Sequence, residues 1–156
     1  MIKRLEFTIP GEPQGKGRAR VVQRGDFTHS YTPEKTANYE NFIKLLAIDA
    51  MKEQGVEKMT GPVDVTIFPY FKIPKSASKK KRQLMETGEI LPCKKPDVSN
   101  IAKAVEDALN GLVYEDDAQI CSLVVSKYYT SPGQEPCVTV QVMERMSAEE
   151  RMLNHA

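Results

Sequence analysis

Residues 95–120 read KPDVSNIAKAVEDALNGLVYEDDAQI. Between Val98 and Leu109, the apolar residues Val98, Ile101, Ala102, Val105, Ala108 and Leu109 recur at helical spacing and gather on one face. At about 100° per residue, Asn100, Lys103 and Asp107 fall within about 60° of one another on the opposite face, with Glu106 and Asn110 beside them. This predicts a helix that docks on a core and displays an amide, a lysine and a carboxylate away from it. Asn110-Gly111 ends it as a left-handed cap requires, which is a structural task for glycine.

Beyond the cap, Leu112-Val113-Tyr114 leads into Glu115-Asp116-Asp117 at the start of the next predicted strand, while Asp97 lies where the helix begins. If the helix packs on that sheet, Asp97 and the Asp116-Asp117 pair converge as hard oxygen ligands. Mg²⁺ keeps several waters and takes one or two protein carboxylates, and acids without histidine or cysteine point away from zinc. Taken singly, Asp97 also reads as a helix cap and Asp116-Asp117 as a solvated turn.

Outward from this segment the chain alternates strands and helices. Leu5, Phe7 and Ile9 alternate with polar residues from Lys3 to Ile9, the period of a half-buried strand, before the Pro10-Gly11 breaker. Thr32-Pro33-Glu34 carries a capping hydroxyl and a first-turn proline, and Phe42, Ile43, Leu46, Ala47 and Ala50 follow at helical spacing up to Gly55. Val63 to Phe71 reads as a strand, with Pro69 hinting at an edge or a bulge. Residues 75–88 read as a short basic helix or a mobile basic loop. Gln119–Tyr129 and the alternating Val138, Val140 and Val142, joined through Ser131-Pro132-Gly133, predict an antiparallel hairpin. Ser147-Ala148-Glu149-Glu150 has capping-box spacing, so residues 145–156 predict a short terminal helix. The whole predicts one α/β (α+β) domain over residues 1–156, with a small mixed sheet packed by helices.

At 156 residues there is room for one domain and no second. No apolar run approaches the ~18 residues of a membrane span, and the charged, alternating N-terminus lacks a signal-peptide pattern. Cys93, Cys121 and Cys137 form an odd set without Cys-x-x-Cys spacing, so neither a disulfide framework nor a zinc site is expected, and a reducing cytoplasm fits best.

The net charge is only +1, but it is unevenly distributed. Residues 1–24 hold six basic and two acidic side chains, residues 72–95 eight and two, and residues 96–117 one and six. Two basic segments thus bracket an acidic one, which suits a protein that holds a polyanion while gathering carboxylates around a divalent cation. Solvated surface charge is the plainer reading.

Gly11 to Arg20 sets Lys16, Arg18 and Arg20 at alternate positions in a glycine-rich loop, a plausible grip on phosphate backbone. The loop lacks Walker spacing, so nucleotide hydrolysis is not indicated. Lys94 and Lys95, just ahead of the central helix, are further candidate DNA contacts.

The ordered set Lys95-Pro96-Asp97, Asn100, Lys103, Asp107-Ala108-Leu109-Asn110-Gly111, Asp116-Asp117 and Gln119-Ile120 resembles the signature of the RusA family of Holliday junction resolvases. The Gly11-x-Pro13-x-x-Lys16-x-Arg18-x-Arg20 loop and the Tyr31-Thr32-Pro33, Thr36, Tyr39-Glu40 stretch are similar to that family's N-terminal half, so the resemblance spans roughly residues 3–143. It implies a small α/β homodimer, often encoded by phages or prophages. Such an enzyme cuts four-way DNA junctions into ligatable nicks with Mg²⁺ (Mn²⁺ as a substitute), without an organic cofactor or a membrane. By position it implies Asp97 and Asp117 as metal-binding catalytic carboxylates, Asp116 as a neighbouring acid able to share that role, and Lys103 as a catalytic cation.

The family pattern usually carries a second aspartate two residues after the first, where this chain has Ser99. A neutral hydroxyl is a weaker metal ligand, which leaves a non-catalytic junction-binding protein as the alternative. Retention of Asp97, Lys103, Asp107 and Asp116-Asp117 together favours an active nuclease. Ser99→Asp is expected to tighten Mg²⁺ binding in a calorimetric titration; unchanged affinity would mean that Ser99 simply caps the helix.

Overall fold

The protein was analysed as a computed structural model that describes residues 2–17, 20–31 and 34–155. Its elements are β1 (Arg4–Pro10), β2 (Arg20–Arg24), β3 (Phe27–Tyr31), α1 (Glu34–Gln54), β4 (Val63–Phe71), α2 (Lys79–Glu86), α3 (Val98–Leu109), β5 (Ile120–Val125), β6 (Tyr128–Tyr129), β7 (Cys137–Glu144) and α4 (Ala148–Asn154). A single 3₁₀ turn, Asp117–Gln119, precedes β5. The helix-start signal at Thr32-Pro33 lies outside the described residues. No helix among the described residues is long and apolar enough to cross a membrane.

The main sheet runs β1-β7-β4-β5, with β6 continuing the β5 side of β4. β7 is antiparallel to both β1 and β4, whereas β5 and β6 are parallel to β4, so the sheet is mixed as expected. Val63, Val65, Ile67 and Phe71 alternate inward along β4 and meet Leu5 and Ile9 of β1 and Val138, Val140 and Val142 of β7. α1 and α3 pack on each other over this layer and close the core with Tyr39, Ile43 and Ala47 from one helix and Ile101, Val105, Ala108 and Leu109 from the other.

The predicted hairpin between residues 119–129 and 138–142 does not form. β5 and β7 lie on opposite sides of β4, and the Ser131-Pro132-Gly133 turn carries the chain around the end of β4, where Thr130 N donates to Phe71 O at 3.0 Å. Alternation specified which face each strand buries but not which neighbour it pairs with, because β4 offers partners on both edges.

β4 is central, despite Pro69. Ile67 O accepts from Ser126 N and Phe71 O from Thr130 N, so residue 69 presents its backbone to this same side. Pairing with β5 ends at Ile67 and pairing with β6 begins at Tyr70. The absent N–H of Pro69 falls in that gap, where a neighbouring strand would otherwise need it.

The helical assignments hold, with shifted faces. α1 buries Thr36 and Tyr39 beside Ile43, Ala47 and Ala50, while Phe42 is exposed and Leu46 only half-buried. α3 buries Ala104 too, and Val98 in its first turn is exposed. Residues 79–86 are a helix rather than a loop, capped by Ser78, whose Oγ accepts from Lys81 N at 3.3 Å, and α2 buries none of its side chains. Ser147 and Glu150 form the expected reciprocal capping box of α4. The antiparallel ribbon β2–β3, turning at Gly25-Asp26 with Gly25 at φ +61°, was not anticipated from the sequence.

Ile67→Ala is expected to lower unfolding free energy by about 2–5 kcal/mol, as for a fully buried aliphatic side chain. Pro69→Ala, which breaks no strand hydrogen bond but trims a buried side chain and returns an N–H to the gap, should cost less, about 1–2 kcal/mol. Urea denaturation of both variants checks the topology, and a large loss from Pro69→Ala would contradict the gap.

Candidate active site

The site is built on the outward face of α3. This helix ends at Asn110, and Gly111 (φ +77°) then turns the chain back so that Gly111 N bonds Tyr114 O at 2.9 Å and Tyr114 fills the core. The Tyr114 hydroxyl donates to Glu106 O at 2.9 Å, and burial, with the nearby acids, pushes its pKa up. Gln119 then fastens the acidic turn to the sheet. Its Oε1 accepts from Glu115 N at 2.7 Å and Asp116 N at 3.0 Å, and its Nε2 donates to Met59 O at 3.0 Å and Gly61 O at 2.9 Å.

This anchoring gives the two adjacent aspartates different surroundings. Asp116 caps the 3₁₀ turn, its Oδ2 accepting from Ala118 N at 3.0 Å. Asp117 faces α3, with Oδ2 3.9 Å from Lys103 Nζ. Lys103 also lies 3.0 Å from Asp107 Oδ1, one helical turn on.

The other oxygen of Asp107 accepts a hydrogen bond from Lys16, whose ammonium also stands 3.4 Å from Glu40 Oε1. That Glu40 oxygen is buried and has no hydrogen-bond partner among the described residues, so Lys16 is its compensating charge. The loop can reach in because Gly15 lies directly on α3. A Cβ there would stand 2.9 Å from Pro96 Cβ and 3.0 Å from Asn100 Cβ, closer than carbon atoms pack. Lys16 N donates to Asn100 O at 3.0 Å, and Gly17 N to Thr36 Oγ1 at 2.9 Å.

Burial by itself would raise the Asp107 carboxyl, but hydrogen bonds from Lys16 and Lys103 outweigh it and hold the group below the usual carboxylate range. The same bonds raise both ammonium groups. Glu106 is pushed up, mainly by burial and secondarily by the negative charge of Asp117 and Asp107. A row of alternating charge therefore runs Glu40, Lys16, Asp107, Lys103, Asp117.

Of the residues singled out in the sequence, Lys103 and Asp117 are brought together and Asp116 is their neighbour. Asp97 is at the N-cap of α3, exposed, and its carboxylate makes no cap bond. The expected convergence of Asp97 with Asp116-Asp117 is not seen. Among the described residues no three acidic, histidine or cysteine side chains are grouped closely enough to hold one ion. Lys16, expected on phosphate, instead faces Asp107 and Glu40. Arg18 lies outside the described residues, and Arg20 is described only as backbone in β2. Lys94 and Lys95 are exposed, with Lys94 Nζ 5.8 Å from the centre of the Phe71 ring. Ser99 sits exposed inside the first turn of α3, two residues past the N-cap position, so it is not the helix cap. The roles of Gln119 and Glu40 were not read from the sequence; a lone acid beside buried Tyr39 was the available signal for Glu40.

The sequence profile of endodeoxyribonuclease RusA matches residues 10–143. The chain belongs to the RusA endodeoxyribonuclease family. It is similar to the uncharacterized protein YqaN of Bacillus subtilis (strain 168), with 39% identity over 142 residues that span 90% of this chain and 96% of that one. The matched region of this RusA-family chain takes in the Lys16 loop, α3 and the Asp116-Asp117 turn, so the charged row lies within the part that defines a nuclease family.

Two carboxylates are left uncommitted and have the hard oxygen chemistry that a divalent cation takes, although the described residues do not gather them with a third ligand around one point. Asp97 caps nothing, and Asp117 stands beyond hydrogen-bond distance of Lys103. Asp107, by contrast, is fully engaged by two lysines.

Because the Asp107 pKa is depressed in the folded state, its contribution to stability is present above the ordinary carboxyl pKa and lost as pH falls through the lowered value. Asp107→Asn should therefore lower the urea midpoint at neutral pH and shrink the further loss seen below about pH 4, the unperturbed carboxylate range. Parallel pH profiles for the two proteins would contradict the two-lysine arrangement.

Proposed function

We propose that this chain is a Mg²⁺-dependent, structure-specific DNA endonuclease that resolves four-way junctions by paired symmetric nicks in recombination and repair, acting as a homodimer. The observation that carries this reading is Lys103, held by Asp107 and facing Asp117, on the outward face of α3 in a nuclease-family chain.

Hydrolysis of a phosphodiester requires a water delivered in line with the leaving oxygen and relief of the charge that builds on the phosphate. Asp97 and Asp117 are the residues that would hold Mg²⁺, with Asp116 adjacent. Bound there, the ion supplies a more acidic water and offsets phosphate charge. Lys103 is the cation for the developing negative charge: its ammonium is half exposed and fixed on one side by Asp107, yet too far from Asp117 for a hydrogen bond. An incoming phosphate oxygen can take up that unfilled side. Asp107 positions the ammonium, and Lys16 neutralises the rest of the Asp107 charge so that this carboxylate does not repel the strand.

Lys94 and Lys95, exposed just before α3, would meet backbone phosphate, and Arg18 and Arg20 are further candidates from the sequence alone. The approximate two-fold symmetry of a four-way junction fits two copies of such a site, one for each of two opposed strands. A second reading, junction binding without cleavage, is favoured by Ser99 alone, which leaves the first turn of α3 one carboxylate poorer than the family pattern.

Asp117→Asn should abolish cleavage of a synthetic junction while retaining or tightening binding, since a negative charge facing phosphate is removed. Gel-resolved strand products beside binding isotherms check this. Full cleavage by the variant would remove Asp117 from the chemistry.

A further inference from the structure

The β2–β3 ribbon is unexplained by the site just described. Among the described residues β2 and β3 pack extensively only on each other, and Val21, Gln23, Arg24, Phe27 and Thr28 are all exposed. Phe27, beside the tip, is 74% exposed. A two-stranded ribbon is by itself at best marginally stable in water, and these exposed residues leave it a surface on which a partner outside the fold can act.

Three observations identify that partner. The register pairs Arg24 directly with Phe27 beside the turn, so an arginine and an aromatic ring are cross-strand neighbours at the tip of the ribbon. Its single acid, Asp26, is confined to the turn. The ribbon is also rooted in the site: Lys16 is tied to Asp107, and the Gly17 N to Thr36 Oγ1 bond draws together the two ends of the segment that carries it. A cation beside an exposed aromatic ring, on a ribbon tied at its base to the charged row, has the chemistry of a platform for unstacked nucleic-acid bases.

We infer that the β2–β3 ribbon is a base-stacking arm: Phe27 lies against a base whose stack is interrupted at a DNA branch point, and Arg24 pairs with the adjoining phosphate. This rests on the nuclease reading above and adds to it a source of selectivity for branched over continuous duplex. In a duplex the base faces are covered by their neighbours, and the ring has nothing to stack on. At a branch point helices end, and an uncovered face is available at less unstacking cost.

The test uses the full-length protein in EDTA, so that no strand is cut, and fluorescence anisotropy with three labelled DNAs: a four-way junction, a single-stranded oligonucleotide and a linear duplex. Phe27→Ala is expected to weaken binding to the junction and the single strand by roughly five- to a hundred-fold, the range for loss of one stacked aromatic, and to leave duplex binding unchanged. Phe27→Trp, which keeps a stacking ring, should bind all three like the parent. Because Phe27 is largely exposed, the melting temperature of Phe27→Ala should stay close to the parent's. The inference is overturned by unchanged single-strand and junction affinity, by an equal loss on all three DNAs, or by a change of oligomeric state in sedimentation, which would make the ribbon an arm between copies of the chain. If the parent shows no preference for junction over duplex while Phe27→Ala still loses single-strand affinity, the arm stands and the junction reading falls.

Discussion

Asp107 has an ammonium on each carboxylate oxygen, and much of the site's geometry follows from that. One ammonium, Lys16, comes from the N-terminal loop and brings Glu40 of α1 with it; the other, Lys103, is one turn back on the same helix and extends toward Asp117. Four segments distant in sequence thus share one charge sequence. Burial disfavours the Asp107 anion, and only the two lysines reverse this, so the carboxylate and its partners are mutually dependent. Lys103 is held from one side and left open on the other, the condition for a cation that must meet a transient charge.

The supports of this row are neutral. Gly15 lets the loop lie against α3, Gly111 reverses the chain after it, and the Gln119 amide binds the acidic turn to the segment before β4 through four hydrogen bonds. Asp116 is the cap of that turn, which leaves Asp117 as the carboxylate turned toward Lys103. A pair of identical residues is divided by one residue of register into a cap and a carboxylate that faces Lys103.

The amphipathic period of residues 98–109 was legible in the sequence because a helix buries its apolar stripe whatever it packs against, and the outward trio of Asn100, Lys103 and Asp107 followed from the same geometry. The partner of Asp107 was not legible: Lys16 lies 91 residues away, and a loop lysine among glycines reads as a phosphate grip until the loop's path over α3 is known. The strands near 119–129 and 137–144 were legible as strands, yet their pairing was not, since both lie beside β4 rather than each other. The β2–β3 ribbon escaped because Val21, Gln23, Arg24, Phe27 and Thr28 are all exposed and so show no burial alternation; the Gly25-Asp26 turn was the available signal.

Family membership makes the chain an endodeoxyribonuclease relative; its substrate and metal rest on the residues around Lys103. The most direct test is strand cleavage of an end-labelled synthetic four-way junction with Mg²⁺, Mn²⁺ or EDTA, beside linear duplex of the same sequence. Metal-dependent, symmetric nicks confined to the junction are the predicted result. Junction binding with no cut under either metal, or equal cutting of the linear duplex, would contradict the account.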